Sequence, residues 1–375
     1  MIKLALVAAM SMVLMLQPAE AATKSKARAT ATKRVKAKPA KLVKVKRTDL
    51  AKAIAADNRK QMVRRIAMVH GKRRVVYSPV RRAAPAVALL TAGDLAGLNR
   101  TPDPLDLRSS VAYVIDQSSS EVLFEKNSSV ALPIASITKL MTGLVVVQAG
   151  QSLDDVLTIT DADVDKLKFS SSRLPVGTRM TRGNLLHIAL MSSENRAAAA
   201  LGRNYPGGIT AFVAAMNAKA RALGMSDTHY VDSSGLSSQN VSSARDLAKL
   251  ATVAHQEPLL RQYSTDPSYV VEASGRPMNF HTTNYLVGMP DWNIGLQKTG
   301  FINEAGRCLV MQAMIQGRNV IMVFLDSKGK QSRTADAGRM RKWLEALAPS
   351  GIPAAAAAAV PVTVSAAATA PVMVQ

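Results

Sequence analysis

The 375-residue chain has very little cysteine and histidine, and both shortages limit its possible chemistry. A single cysteine excludes an intramolecular disulfide, and Cys308 lies in an apolar run that predicts a buried structural thiol rather than a nucleophile. The five histidines are scattered and no G-x-S-x-G elbow accompanies them, which disfavours a Ser-His-acid hydrolase. No His, Asp or Glu cluster has the spacing of metal ligands, so we predict neither a metal nor a cofactor.

Acidic residues are nearly missing from the N-terminal region. The whole chain carries a net charge of +22, and residues 23–82 hold 21 Lys or Arg against two acids. Such a segment repels itself and buries little, so residues 22–107 are predicted to be a basic, largely disordered arm and linker, with transient helix over Asp49–Met68. Anionic wall or membrane surfaces are its expected contacts, a solvated tether is the alternative, and nucleic acid is not an expected partner.

Long hydrophobic runs are also scarce. Leu4–Leu16 is the longest near the N-terminus, a 13-residue run that is apolar except for Ser11 and follows the charged Lys3, and a small-x-small site follows at Ala19-Glu20-Ala21. This pattern predicts a cleaved signal peptide over residues 1–21, because the run is too short to span a bilayer comfortably. We therefore expect an exported, periplasmic protein. Residues 348–375 form an Ala/Pro/Val low-complexity tail.

Residues 108–347 have the composition of a compact domain, with strand patterns at both ends and helix patterns between them. This order predicts an α/β fold in which one antiparallel sheet is flanked by helices and an all-α subdomain is inserted. The predicted strands are Val111–Ile115, Val122–Phe124, Ile294–Gln297, Arg307–Ile315 and Val320–Leu325, with a turn at Gly317-Arg318-Asn319. The predicted helices are Ser136–Val147, Leu185–Ala200, Thr210–Leu223, one that begins at Ser243, and Ala335–Leu347.

Three short motifs stand in order within this domain: Ser136-Ile137-Thr138-Lys139, Ser193-Glu194-Asn195 and Lys298-Thr299-Gly300. Each is weak alone, since Ser327–Lys330 repeats the S-x-x-K pattern and Ser238–Asn240 repeats the S-x-N pattern. Context separates them, because Ser136 opens an apolar helix whereas Ser327 follows a strand. The three motifs occur in order on a predicted helix, in a helix-rich insert and on a predicted strand. Such an ordered arrangement is difficult to obtain by chance.

These residue types can together perform acyl transfer. A serine hydroxyl needs a base, and Lys139 lies one helical turn from Ser136, where burial can lower its pKa. Ser193 can pass a proton to the leaving amine, and Asn195 can orient the lysine or bind substrate backbone. Lys298 suits a substrate carboxylate, while Thr299 adds a hydroxyl and Gly300 permits close approach. Each motif also has a purely structural alternative. Ser136 could be a helix N-cap and Lys139 a solvated helix charge, the S-x-N could be a polar helix terminus, and the K-T-G could be a surface strand end.

The motifs in their surroundings, ALPIASITKLMT, MSSENRAA, DSSGL (Asp232–Leu236) and QKTGFINEAGRCLV, resemble the exported D-alanyl-D-alanine carboxypeptidases of the penicillin-binding and β-lactamase superfamily. Within that family they resemble the endopeptidase-type low-molecular-mass penicillin-binding proteins. The resemblance implies that Ser136 attacks a D-Ala carbonyl of peptidoglycan stem peptides, with Lys139 as general base, Ser193 as proton relay and Lys298 as carboxylate ligand. It also implies an oxyanion hole from the backbone N–H groups of Ser136 and Phe301, and covalent inhibition by β-lactams.

Three other functions compete with the endopeptidase. A D-alanyl-D-alanine carboxypeptidase has the same motif chemistry, but the low-complexity tail stands where the carboxypeptidase relatives carry a β-rich domain and an anchor helix, which favours the endopeptidase. A class A β-lactamase needs a glutamate that directs the deacylating water, and the stretch His229–Leu236 offers only Asp232. A non-enzymatic wall or membrane binder would act through the basic arm alone.

Overall fold

The computed structural model describes residues 62–69, 72–79 and 89–347. These residues fall into two compact units whose boundary lies between Ala86 and Val87. The predicted signal peptide, most of the arm and the C-terminal tail lie outside the described residues. Among the residues that are described, no helix combines the length and the apolar character that a bilayer crossing requires.

The first unit contains an antiparallel hairpin of Met62–Val69 (β1) and Lys72–Pro79 (β2), in which Val69 lies opposite Lys72. The structure here differs from the largely disordered arm, with transient helix up to Met68, that the charge predicted. Val and Ile are interspersed with the arginines, and β-branched residues favour strands. Only two residues, His70 and Gly71, separate the strands in sequence, which suits a tight hairpin turn. Local pairing therefore prevails over charge repulsion.

The second unit carries the remaining elements. Its strands are β3 (Ser109–Asp116), β4 (Val122–Lys126), β5 (Leu132–Pro133), β6 (Val156–Thr158), β7 (Arg179–Thr181), β8 (Val241–Ser242), β9 (Ser268–Ala273), β10 (Arg276–His281), β11 (Asn293–Ile302), β12 (Gly306–Ile315) and β13 (Arg318–Ser327). Its α-helices are α1 (Ala92–Leu95), α2 (Thr138–Gln148), α3 (Arg182–Met191), α4 (Asn195–Arg203), α5 (Gly208–Ala222), α6 (Ala244–Ala254), α7 (Pro258–Thr265) and α8 (Ser332–Leu347). Short 3-10 helices lie at Leu98–Arg100, Ala135–Ile137, Asp161–Asp163 and Tyr285–Gly288.

One five-stranded antiparallel sheet joins the two ends of this unit in the order β11-β12-β13-β3-β4, which confirms the predicted fold class. Alternate residues of β3 enter different cores, as a strand's period of two requires. Val111 and Ile115 face the core shared with the helical region, whereas Ala112 and Val114 face the core that includes Met340 of α8. Strand β11 is at the sheet edge, so one row of its backbone groups has no partner within the sheet.

The inserted region is built around α2, whose residues from Thr138 to Val146 are all buried. Helices α3 to α7 surround it. The insertion is not purely helical, because the two-stranded ribbons β5–β8, β6–β7 and β9–β10 lie within it. The missed β9–β10 hairpin alternates in burial along β9, since Val271 and Ala273 are buried while Val270 and Glu272 are exposed.

Residues 89–107 belong to the second unit, although the sequence predicted that they form part of a linker. Asp103 accepts hydrogen bonds from the backbone of Leu105 and Leu107, and its carboxylate pairs with Lys126 at 2.7 Å. Both side chains of this ion pair are only 5% exposed. The backbone N–H of Ala92 donates to the carbonyl of Glu304 at 2.8 Å. A polar composition here reflects turns and a buried ion pair, so the folded unit begins well before residue 108.

Candidate active site

Ser136 and Lys139 meet at the start of α2. Ser136 lies in the 3-10 turn Ala135–Ile137, and Lys139 is the second residue of α2, one helical turn further on. The Nζ of Lys139 lies 2.9 Å from the Oγ of Ser136. Ser136 is half-buried, whereas the side chain of Lys139 is completely buried. The predicted pair is thus within hydrogen-bond distance, with the hydroxyl on the more accessible side.

Lys139 has two further partners, which fix its amine. Its Nζ donates to the Oδ1 of Asn195 at 2.8 Å and to the carbonyl of Ser234 at 2.6 Å. Burial lowers the pKa of Lys139 from 10.5 to about 7, against the opposite effect of the negative charges of Asp232 and Glu194. Near neutral pH a large fraction of the amine is therefore neutral and able to accept a proton from Ser136.

The carbonyl of Ser234 is presented by a loop that Asp232 shapes. The carboxylate of Asp232 accepts hydrogen bonds from the backbone N–H of Ser234 and of Gly235, each at 2.6 Å. Gly235 has φ of +81°, and a Cβ there would lie 2.9 Å from the backbone N of Ser136. The loop thus needs glycine both for its backbone conformation and for its close packing against Ser136. The sequence analysis cited this segment for the family resemblance and weighed Asp232 for a β-lactamase, but it did not predict the turn, although Asp followed by Ser-Ser-Gly is a recognisable turn signal.

The S-x-N motif interrupts the helix that was predicted to run from Leu185 to Ala200. Helix α3 ends at Met191, α4 begins at Asn195, and Ser193 between them has a left-handed φ of 62°. Asn195 links Lys139 to a neighbouring loop, because its Nδ2 donates to the Oγ of Ser170 at 3.0 Å. Ser193 is half-buried, and its hydroxyl makes no hydrogen bond to any residue that the structure describes. A non-glycine residue with positive φ carries strain, which is common at functional positions.

The K-T-G motif lies on the edge strand β11, beside Ser136. A Cβ at Gly300 would lie 2.8 Å from the carbonyl of Ile134 and 3.2 Å from the backbone N of Ser136, so only glycine lets the strand approach this closely. The carbonyl of Gly300 accepts a hydrogen bond from Arg333 at 2.7 Å. Sequence reasoning missed Arg333, because it lies 33 positions further along the chain and no local pattern marks it.

Lys298 is completely buried, and its Nζ donates to the carbonyl of Thr299 at 2.9 Å. Burial, together with the positive charges of Lys139 and Arg333, lowers the pKa of Lys298 well below 10.5. The hydroxyl of Thr299 lies 2.6 Å from that of Thr283, a partner that the sequence did not suggest. Phe301 follows with its ring 51% exposed and covered by the guanidinium of Arg307 at 4.6 Å from the ring centre. The motif thus presents a buried amine that has no carboxylate beside it in the described part of the chain.

The repeated motifs have structural roles. Ser327 is buried at the end of β13 and contacts Asp336 at 3.4 Å, while Lys330 is exposed. Asn240 is completely buried and holds the Asp232 loop, because its Nδ2 donates to the carbonyl of Asp232 at 3.0 Å. Neither pattern places a buried lysine against a serine hydroxyl.

Other candidate chemistries find little support in the described part of the chain. Burial raises the pKa of the Cys308 thiol to about 12, which agrees with the predicted structural role. His187 is stacked between Tyr263 and Tyr269, with its Nε2 2.9 Å from Asp266, and it does not contact a catalytic serine. Within the described ranges, no group of three or more His, Cys, Asp or Glu is arranged to hold a metal ion.

Comparison with known proteins gives a consistent picture. Residues 98–329 match a family described as D-alanyl-D-alanine carboxypeptidase. A D-alanyl-D-alanine endopeptidase from Pseudomonas aeruginosa is 50% identical over 68% of this chain and 82% of the relative. A D-alanyl-D-alanine endopeptidase from Escherichia coli is 43% identical over 67% of this chain and 82% of the relative. The crystal structure of the Streptomyces K15 DD-transpeptidase is 28% identical and superposes with a TM-score of 0.61, covering 66% of this chain and all of that one.

Proposed function

Because the chain belongs to the D-alanyl-D-alanine carboxypeptidase family, we propose that it is a penicillin-sensitive serine D-alanyl-D-alanine endopeptidase that cleaves peptidoglycan cross-links. The observation that carries this proposal is the buried Lys139, whose Nζ lies 2.9 Å from the Oγ of Ser136 and whose pKa is lowered to about 7. A serine becomes a useful nucleophile when a neutral base of this kind is within hydrogen-bond reach.

In the proposed acylation step, the Oγ of Ser136 attacks the carbonyl carbon of the D-Ala residue while Lys139 takes the hydroxyl proton. The backbone N–H groups of Ser136 and Phe301 stabilise the negative charge on the carbonyl oxygen. Collapse of the tetrahedral intermediate breaks the peptide bond, and the proton passes from Lys139 through Ser193 to the leaving amine. The relay is supported by the position of Ser193 two residues before Asn195, whose Oδ1 accepts from Lys139 at 2.8 Å, and by its half-buried hydroxyl, which has no competing hydrogen bond to a described residue. Water then hydrolyses the ester and releases the shortened stem peptide.

Lys298, Thr299 and Gly300 supply substrate binding. A substrate carboxylate next to Lys298 would favour the charged form of this buried amine and pair with it, and the hydroxyl of Thr299 can donate to the same carboxylate. Gly300 lets the substrate backbone approach the edge strand β11, which has no second strand beside it in the sheet and can pair with an extended peptide. Asn195 holds the amine of Lys139, at 2.8 Å, and its half-exposed amide can also contact the substrate backbone.

The choice of endopeptidase over carboxypeptidase is supported by the names of the two curated relatives, which are both endopeptidases. The motif chemistry is common to both activities, which differ in the leaving group. A carboxypeptidase releases free D-alanine, whereas an endopeptidase releases a cross-linked diamino-acid stem. We also propose an exported, periplasmic location, which rests on the signal-peptide pattern of residues 1–21, and contacts between the basic arm and anionic wall or membrane surfaces.

The first test is the intact mass of the purified protein after incubation with a β-lactam, beside the variant Ser136→Ala. We expect one adduct per wild-type molecule and none on the variant. A well-folded wild type that forms no adduct would refute the acyl-enzyme proposal. It would favour instead a binding function for the basic arm, which would weaken steeply with salt and survive the loss of Ser136.

The second test separates the two peptidase activities. A cross-linked muropeptide dimer and a monomeric pentapeptide stem are digested separately, and the products are identified by mass. Conversion of the dimer to monomers, faster than loss of D-alanine from the pentapeptide, is the expected result. The reverse preference would assign the carboxypeptidase activity.

A further inference from the structure

The loop Asp165–Ser170 is held in one conformation beside the active site. The carboxylate of Asp165 accepts hydrogen bonds from the backbone N–H of Leu167 at 2.8 Å, of Lys168 at 2.9 Å and of Ser170 at 2.8 Å. The Oγ of Ser170 donates to the same carboxylate at 2.7 Å and accepts from Asn195. The carboxylate of Asp165 thus organises the backbone of the loop, and Ser170 anchors the loop to Asn195. The other side chains of the loop are therefore held in defined positions.

Lys168 is two residues from Ser170 and reaches across to the turn that follows the K-T-G strand. Its Nζ lies 2.5 Å from the Oε1 of Glu304, in the connection between β11 and β12. That connection is fixed in turn, because the carbonyl of Glu304 accepts from the backbone of Ala92. The ion pair therefore joins the loop that contacts Asn195 to the turn four residues beyond Gly300. Asn195 and Gly300 both lie in the site around Ser136 and Lys139.

The direction of the substrate follows from the proposed function. The terminal carboxylate lies at Lys298, and the scissile carbonyl lies near Gly300 and Ser136. The stem peptide must then continue along β11 past Phe301 toward Glu304. An extended peptide advances about 3.3 Å per residue, so a side chain roughly two to three residues upstream of the scissile bond reaches the turn. Peptidoglycan stem peptides carry carboxylates in this upstream part.

The ion pair is suited to exchange rather than to permanent support. The side chains of Lys168 and Glu304 are 31% and 41% exposed, and ion pairs with such access to water contribute little net stability. The hydrogen bond from Lys168 lowers the pKa of Glu304, so this carboxylate is charged at neutral pH. A carboxylate from the substrate offers Lys168 the same chemistry as Glu304 does.

We propose that Lys168 binds a carboxylate of the stem peptide upstream of the scissile D-Ala, and that Glu304 holds Lys168 in position until this carboxylate displaces it. The inference rests on the proposed function, which fixes the direction of the substrate along β11. It adds a specificity residue for the acyl-donor stem on the loop Asp165–Ser170, outside the three motifs.

The test compares hydrolysis of matched substrates, namely a cross-linked dimer and a pentapeptide stem, each with free stem carboxylates or with those carboxylates amidated. Lys168→Met should lower kcat/KM for the free-acid forms roughly fivefold and leave the amidated forms and β-lactam acylation within about twofold. Glu304→Gln should raise kcat/KM for the free-acid forms roughly two- to fivefold. Lys166→Met is the matched control, because it removes the same charge from the same loop at an exposed position that has no ion pair within the described ranges, and it should not discriminate.

Two results would overturn the proposal. An equal loss for Lys168→Met on acid forms, amidated forms and β-lactam acylation would make the ion pair a purely structural link. Unchanged or slower hydrolysis of the acid forms by Glu304→Gln would exclude the displacement. Failure of the proposed function is distinguishable from both, because it abolishes β-lactam acylation of the wild type as well.

Discussion

Ser136 lies between two regions that each bring a buried lysine to it, and these regions surround the lysine differently. On the helical side, Lys139 has three acceptors, which are Ser136, Asn195 and the carbonyl of Ser234. On the sheet edge, Lys298 donates to the carbonyl of Thr299 and, among the described residues, has no carboxylate partner. Burial lowers the pKa of both amines. The partners therefore decide the roles: a satisfied amine can exchange a proton with Ser136, and an unsatisfied one can bind a ligand.

The largest effect should come from Lys139→Met, which keeps the buried volume and removes the base. We expect β-lactam acylation to slow roughly 10²- to 10⁴-fold, the range that general-base catalysis supplies. The rate is measured by intact mass over time, with circular dichroism as the check on folding. Lys330→Met is the control, because it changes the lysine of the second S-x-x-K pattern and should leave acylation unchanged. Equal slowing of both variants would contradict the assignment.

A smaller loss is expected for Lys298→Met, because it removes a charge that binds rather than reacts. For peptides with a free terminal carboxylate, kcat/KM should fall on the order of 30-fold or more, mainly through KM. The same peptides with an amidated terminus should be cleaved equally slowly by the wild type and the variant. If the variant still slowed the amidated peptides 30-fold, Lys298 would act in the chemistry itself and the two lysines would not differ as proposed.

The pH dependence of acylation distinguishes the two lysines without mutation. The reactive form of Lys139 is neutral, so the acylation rate should rise with pH through about 7 and level off above it. Between pH 6 and pH 8 this predicts a change of about tenfold. Stopped-flow or mass-resolved acylation of the wild type gives the profile. A rate that falls as the pH rises would mean that the protonated amine is the active form, and a flat rate would mean that acylation does not depend on a group that titrates near pH 7.

The smallest effect concerns the packing that positions Lys139. Gly235→Ala should lower the free energy of unfolding by about 3 kcal/mol, since it adds a Cβ that collides with the backbone next to Ser136 at a positive φ. Gly275→Ala is the matched control, with a φ of +74° and open space around the new Cβ, and should cost about 1 kcal/mol. Urea unfolding measures both. Acylation should slow several-fold for Gly235→Ala only, and similar values for both variants would refute the packing argument.

Much of the secondary structure could be read from the sequence. The predicted strands Val111–Ile115 and Val122–Phe124 pair as a hairpin, and the helix predicted to begin at Ser243 is α6, in which the hydroxyl of Ser243 accepts from the backbone of Asp246. Element ends were less accurate. The turn between β12 and β13 consists of Gln316 and Gly317, both with positive φ, one residue earlier than predicted. The hydrogen bonds between β12 and β13 determine where each strand ends, and the local composition of the sequence does not give that position.

The misjudged segments have two different physical causes. Charge predicted disorder for residues that form β1 and β2, and polar composition predicted a linker where Asp103 and Lys126 form a buried ion pair. The β1–β2 hairpin is local, and its strand-forming residues outweigh the charge that predicted disorder. The ion pair joins residues 23 positions apart, and no local pattern marks such a contact. The helix break at Ser192–Glu194 was missed for a similar reason, because a left-handed Ser193 is stable only when the surrounding structure enforces it.

The sequence by itself determined which residue types are present in which order: a serine with a lysine one turn later, an S-x-N, and a K-T-G on a strand. Helical periodicity was sufficient to place Ser136 beside Lys139, because both are local. Only the tertiary structure decided that Asn195, the Ser234 carbonyl and Gly300 converge on them, that Asp232 and Arg333 support the site, and that Lys168 meets Glu304. Burial and long-range contacts set the pKa of Lys139, and neither quantity can be computed from neighbours in the chain.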